Sequence, residues 1–195
     1  SLSIQNGTID FCGDSGVTHE GSIFTLGSVG LEQYYKFELT NATFQNMKAG
    51  RLFKLTDSGE YCIVTDCTFK NGEFSDDGGA FDIDQRDLKP IEDRLLNIFE
   101  RCDFIDLHSA KDGGAMQFYY VSPGDEQSYT AISMYSCNFI NCSADSEGGA
   151  IYIYELNGSE SYRANFNLGG CNFISCTAKD DGGAIFVDDE NIDMR

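Results

Sequence analysis

The constraint that dominates this chain is a repeat. Cys67-Thr68-Phe69-Lys70-Asn71, Cys102-Asp103-Phe104-Ile105-Asp106, Cys137-Asn138-Phe139-Ile140-Asn141 and Cys171-Asn172-Phe173-Ile174-Ser175 each precede a Gly-Gly-Ala run. The first glycine always follows the Phe by nine residues (69 to 78, 104 to 113, 139 to 148, 173 to 182). The cysteines advance by 35, 35 and then 34 residues. Degenerate copies lie upstream: Thr43-Phe44-Gln45-Asn46 leads to Ala49-Gly50-Arg51-Leu52-Phe53, and Gly21-Ser22-Ile23-Phe24 resembles the run after the double glycine. A period of this length marks a stacked array, in which a unit too small to bury its own apolar face shares a core with its neighbours.

Within one unit the pattern has the period of strands. Thr130–Met134, Cys137–Asn141 and Ala150–Tyr154 alternate and are rich in β-branched and aromatic residues, and no copy carries a helical stripe. The double glycine suits a corner. The polar segments that follow, 84–93, 121–128 and 155–161, absorb the variation in length and read as loops on one side. These features predict an all-β chain: a right-handed parallel β-helix of tandem three-strand coils, one domain over residues 1–195 with its clearest repeats at about 44–187.

Stacking the copies aligns like residues at about 4.8 Å. Phe44, Phe69, Phe104, Phe139 and Phe173 form an expected inward column, and Asn46, Asn71, Asp106, Asn141 and Ser175 a polar one whose side chains bond along the stack. Cys67, Cys102, Cys137 and Cys171 share a column that suits either disulfides or a buried ladder of free thiols. Cys142 and Cys176 are the preferred disulfide pair, since their column has two members; Cys12 and Cys62 have no evident partner. Asp77, Asp112, Glu147 and Asp181 precede the double glycines, and two readings stand for them: solvated turn residues, or a column bridged by calcium. No other cofactor is expected.

Charge narrows the partners. With 32 acidic and 13 basic residues the chain carries −19, which repels nucleic acid and anionic membrane. No stretch is apolar enough to insert as a membrane helix. Sequons at Asn6, Asn41, Asn141 and Asn157, taken with eight cysteines, point to a secreted, oxidising setting, and the chain reads as mature secreted material or a piece of a longer protein.

In its Gly-Gly-Ala-Ile runs (Gly148–Ile151, Gly182–Ile185; approximately Gly78–Phe81 and Gly113–Met116) and its aromatic–Asn elements, the chain resembles the polymorphic outer membrane proteins of chlamydiae and similar surface proteins of protists. The Phe-x-x-Asn element of that family is one residue shorter in every copy here. The resemblance implies a right-handed β-helix with an adhesin-like surface role.

The function expected is therefore a non-enzymatic extracellular or cell-surface module that binds surface molecules or glycans of a host or neighbouring cell. Tyr119, Tyr120, Tyr152, Tyr154 and Tyr162, near the loop bases, suit either sugar stacking or strand packing. The alternative is a filament subunit associating head to tail through unpaired strand edges. A polysaccharide lyase or glycosidase ranks below both: a lyase needs a basic groove, stacked carboxylates satisfy a glycosidase trivially, and His19 and His108 have no evident catalytic partner.

Overall fold

The computed structural model describes residues 2–11, 19–26, 35–56, 59–85, 96–121, 129–156, 164–188 and 193–194. Among these there is no helix, and every strand pairing is parallel. The chain is a β-solenoid. One coil runs through Leu96–Glu100, Asp103–Ser109 and Met116–Val121; the next through Tyr129–Tyr135, Asn138–Ile140, Ser143–Ala144 and Ile151–Leu156. The register is that of the sequence repeat: Phe69, Phe104, Phe139 and Phe173 are successive partners, as are Phe81, Met116, Ile151 and Ile185. The expected coil is present, with its middle strand bent into two pieces.

Two bends per coil shape the cross-section, and both use left-handed backbone. At the first stand Asn6, Asn41, Asp66, Arg101, Ser136 and Gly170; at the second, Asn46, Asn71, Asp106, Asn141 and Ser175, all with φ between 49° and 67°. Asn and Asp tolerate this region best among residues with a Cβ, because their short side chains bond locally. Here they also bond along the stack, each to the coil below. Asn41 donates to Asn6 at 3.0 Å, Asn71 to Asn46 at 3.2 Å, and Asn141 to Asp106 at 2.9 Å.

The third turn is the Gly-Gly corner, where the two glycines answer different demands. Gly78, Gly113, Gly148 and Gly182 have φ from 61° to 72°. The second glycine is needed by the stack: a Cβ on Gly114 would lie 2.2 Å from the carbonyl oxygen of Gly149, and one on Gly149 2.1 Å from that of Gly183.

Alternation inside the strands sends every second side chain inward, as in Asp103–Ser109, where Phe104, Leu107 and Ser109 are buried. The Phe column stacks face to face, with centroids 5.0 Å apart for Phe69–Phe104 and 4.7 Å for Phe104–Phe139. Phe53 and Phe81 meet this column edge-on from the opposite wall. The edge contacts suit the ring quadrupole.

The expected Cys142–Cys176 disulfide is not formed. Among the described residues Cys62, Cys67, Cys102, Cys137, Cys142, Cys171 and Cys176 are all free thiols, while Cys12 lies outside them. In-register parallel strands hold neighbouring Cα–Cβ vectors parallel at about 4.8 Å, whereas a disulfide needs them to converge to about 3.8 Å between Cβ atoms. The thiols do other work. Six of the cysteines follow a left-handed residue, and their Sγ atoms donate to carbonyls that the bend turns inward. Cys102 reaches the carbonyls of Glu100 and Val64, both at 3.4 Å, and Cys142 that of Phe104 at 3.4 Å. Cysteine fits because it is small, compatible with an apolar core and a weak donor.

Candidate functional site: a tyrosine shelf beside an acidic column

On the strand after the Gly-Gly corner, two adjacent outward columns differ in burial. Lys54, Asp82, Gln117, Tyr152 and Phe186 form one; Thr56, Asp84, Tyr119, Tyr154 and Asp188 the other. The corner segment folds over the first column, so Asp82, Gln117 and Tyr152 are 5%, 1% and 6% exposed although they point away from the core. The second column stays half-open. There Tyr119 and Tyr154 pack at 5.1 Å between centroids, Tyr152 lies parallel to Tyr154 at 6.5 Å, and Phe186 stacks on Tyr152 at 5.7 Å. The result is a shelf of rings in three successive coils, with Asp84 below and Asp188 above in its outer column.

Of the tyrosines singled out in the sequence, Tyr119, Tyr152 and Tyr154 come together. The Tyr120 side chain and all of Tyr162 lie outside the described residues. Burial raises the Tyr152 hydroxyl pKa, reinforced by Tyr119 and by the carboxylates of Asp112, Asp188 and Glu147, so the phenol stays a neutral hydrogen-bonding group.

Beside the shelf runs the acidic column, in which the carboxylates of Asp77 and Asp112 are engaged by protein groups. Asp112 accepts from the Glu147 backbone N–H at 3.0 Å, and Asp77 sits 3.4 Å from the Asp112 N–H. Lys111 places its ammonium 3.7 Å from Asp77 and also pairs with Asp76. Burial, with repulsion from Asp112, Asp188, Asp181 and Asp180, lifts the Glu147 carboxyl above its ordinary range. Among the described residues no group of three or more His, Cys, Asp or Glu side chains is placed to hold a metal ion.

Sequence reasoning missed two features here. Arg51 is 8% exposed and bridges Asp82 and Asp76, the latter at 2.6 Å. It stands where later coils have a glycine, and that exception was the available signal. His108 also has partners: its Nδ1 lies 3.0 Å from Ser143 Oγ, and its Nε2 3.7 Å from Asp145. The 35-residue period puts Ser143 directly beside His108. The trio does not form an acyl-transfer triad, because Asp145 is committed to Lys179 at 2.8 Å and does not hydrogen-bond the imidazole. The side chain of His19 lies outside the described residues.

The sequons divide likewise. Asn6, Asn41 and Asn141 are exposed bend residues, two of which use their amide nitrogens in the ladder, and Asn157 lies outside the described residues. No described helix is long and apolar enough to cross a membrane. Compared with protein-family models, curated proteins and solved structures, the chain matches none.

Proposed function

We propose that this chain is a non-enzymatic recognition module of an extracellular or cell-surface protein, and that it binds uncharged glycans on the tyrosine shelf. The observation that carries the reading is the Tyr119–Tyr154 pair, packed ring to ring on a half-open outward face. Aromatic faces receive the C–H faces of sugars, and the carboxylates of Asp84 and Asp188 in the same column accept from sugar hydroxyls. The charge of −19 selects against acidic polysaccharides. The surface setting draws support from the sequons and from the resemblance to chlamydial and protist surface proteins. Glycan-array binding by the intact chain tests the proposal. Tyr154→Ala is expected to reduce binding at least about tenfold, as loss of an aromatic anchor does; unchanged binding, or none to any uncharged glycan, rejects the shelf.

Head-to-tail filament formation is the second reading. It rests on the way every coil of a parallel solenoid docks by strand pairing on the next, which a second copy could reproduce. Electron microscopy that shows single short rods at high concentration removes it.

A further inference from the structure

The parallel geometry that keeps Cys142 and Cys176 from forming a disulfide suits them to another kind of bridge. The two stand on successive coils, each directly after a left-handed bend residue, Asn141 or Ser175. Their Sγ atoms have equivalent surroundings. Cys142 Sγ lies 3.9 Å from the Ile140 carbonyl oxygen two residues back and 3.4 Å from that of Phe104 in the coil below. Cys176 Sγ lies 3.8 Å from the Ile174 carbonyl oxygen and 3.4 Å from that of Phe139. Ile140 pairs with Ile174, and Phe104 with Phe139. Each set of partners is therefore the other moved by one coil, and so are the sulfurs. One stands over the other at about 4.8 Å, and both side chains pack on the same core.

That interval selects the occupant. It is more than twice a sulfur–sulfur bond of about 2 Å. Metal–thiolate bonds are about 2.3 Å long for zinc, and two of that length laid end to end span about 4.6 Å, close to one coil. A metal on the line between the sulfurs thus reaches both with little movement of the backbone. Among the described residues no third His, Cys, Asp or Glu joins them to complete a metal-binding group, so ions that need a tetrahedral or oxygen-rich shell find no ligand set here. The bonds from the thiols to carbonyls are no obstacle, since S–H is a weak donor. What fits is a soft ion satisfied by two sulfurs in line, and thiolates select copper as Cu(I). We infer that Cys142 and Cys176 form a two-coordinate site for a soft monovalent metal ion, Cu(I), which bridges two coils of the solenoid. On binding, each sulfur gives its proton to solvent and forms one bond to the metal, and no electron is transferred.

The test is an anaerobic titration of the reduced, intact chain with Cu(I) against a chromophoric Cu(I) chelator, which counts the equivalents that the protein retains. Cys142→Ala and Cys176→Ala are each expected to retain one equivalent fewer than the parent. The double variant should retain no fewer than either single one, because both sulfurs serve a single ion. Circular dichroism checks that the variants fold. A second measurement needs no variant: in the parent loaded with one equivalent, X-ray absorption at the copper edge should find two sulfur neighbours and no third ligand, and Cys176 should be shielded from iodoacetamide. Equal retention by the parent and the double variant, a loss of two equivalents in the double variant, a third ligand at the copper, or unchanged labelling of Cys176 overturns the inference.

Discussion

At the corner of each coil the two glycines invite separate tests. Gly149 lies beneath a carbonyl that a Cβ would strike at 2.1 Å, whereas at Gly183 the nearest atom to a Cβ is the Cys176 carbonyl oxygen at 3.8 Å. Gly149→Ala is therefore expected to destabilise the chain by about 1–3 kcal/mol, as overpacking does. Gly183→Ala should stay within about 0.5 kcal/mol of the parent in the same urea titration. A second residue-scale difference concerns thiols. The neighbouring Cys142 thiol favours the Cys176 thiolate and holds the Cys176 pKa below the ordinary thiol range, while that neighbour and deep burial push Cys142 upward. Thiolate is the reactive form, so a short iodoacetamide pulse at pH 7, read by peptide mass spectrometry, should modify Cys176 well before Cys142. Equal labelling would show that the pair does not share a proton in this way.

At the scale of elements, the strand after the corner carries a buried charge whose cost depends on pH. Burial pushes Asp82 up to about 6 against the attraction of Arg51 and Lys54, with repulsion from Asp84 and Asp77 adding to the rise. A carboxyl that binds its proton more tightly when folded favours the folded state while protonated. Its contribution is greatest below pH 4 and is lost as pH climbs to about 6, by at most about 3 kcal/mol. Asp76 acts in the opposite sense: Lys111 and Arg51 outweigh its partial burial and hold it below the ordinary range, so its stabilisation is lost as pH falls through that region. The difference in unfolding free energy between the parent and Asp82→Asn isolates the first effect; a difference that is flat from pH 4 to 6 contradicts it.

The Phe column, the Gly-Gly corner and the Asn ladder were legible because each repeats one residue type at one interval. The first bend was not, since Asp66, Arg101, Ser136 and Gly170 have in common only the sign of φ, which side-chain chemistry does not announce. The disulfide expectation failed because spacing along the chain gives a Cα separation but not the direction of a Cβ. The shelf was visible only as tyrosines near loop bases; that Tyr152 would be covered and Tyr154 left open depends on where the corner segment folds.

At the scale of the molecule, the strand contacts among the described residues run between neighbouring coils. In such arrays stability is close to a sum of unit and interface contributions. Excising residues 103–137 removes 35 residues and joins Cys102 to Asn138 in the register that Asp103 now holds. The shortened chain is expected to keep its β circular dichroism spectrum and cooperative unfolding, with a smaller denaturant dependence because less surface is exposed. An excision that ends six residues earlier, at Ala131, puts the inward column out of step and should not fold; equal behaviour of the two would refute a register fixed by stacking.

The second glycine of a corner serves the coil that follows it rather than its own. A duplicated gene segment of one period therefore brings with it a seat already cut for whatever lands above. Unequal exchange between repeats can lengthen or shorten such a protein in whole coils without any compensating mutation. A substitution at that glycine, silent in its own unit, spoils the seat for the next one unless the corner itself is rebuilt, as it is at Arg51, where the chain runs through as continuous strand and the following coil still docks.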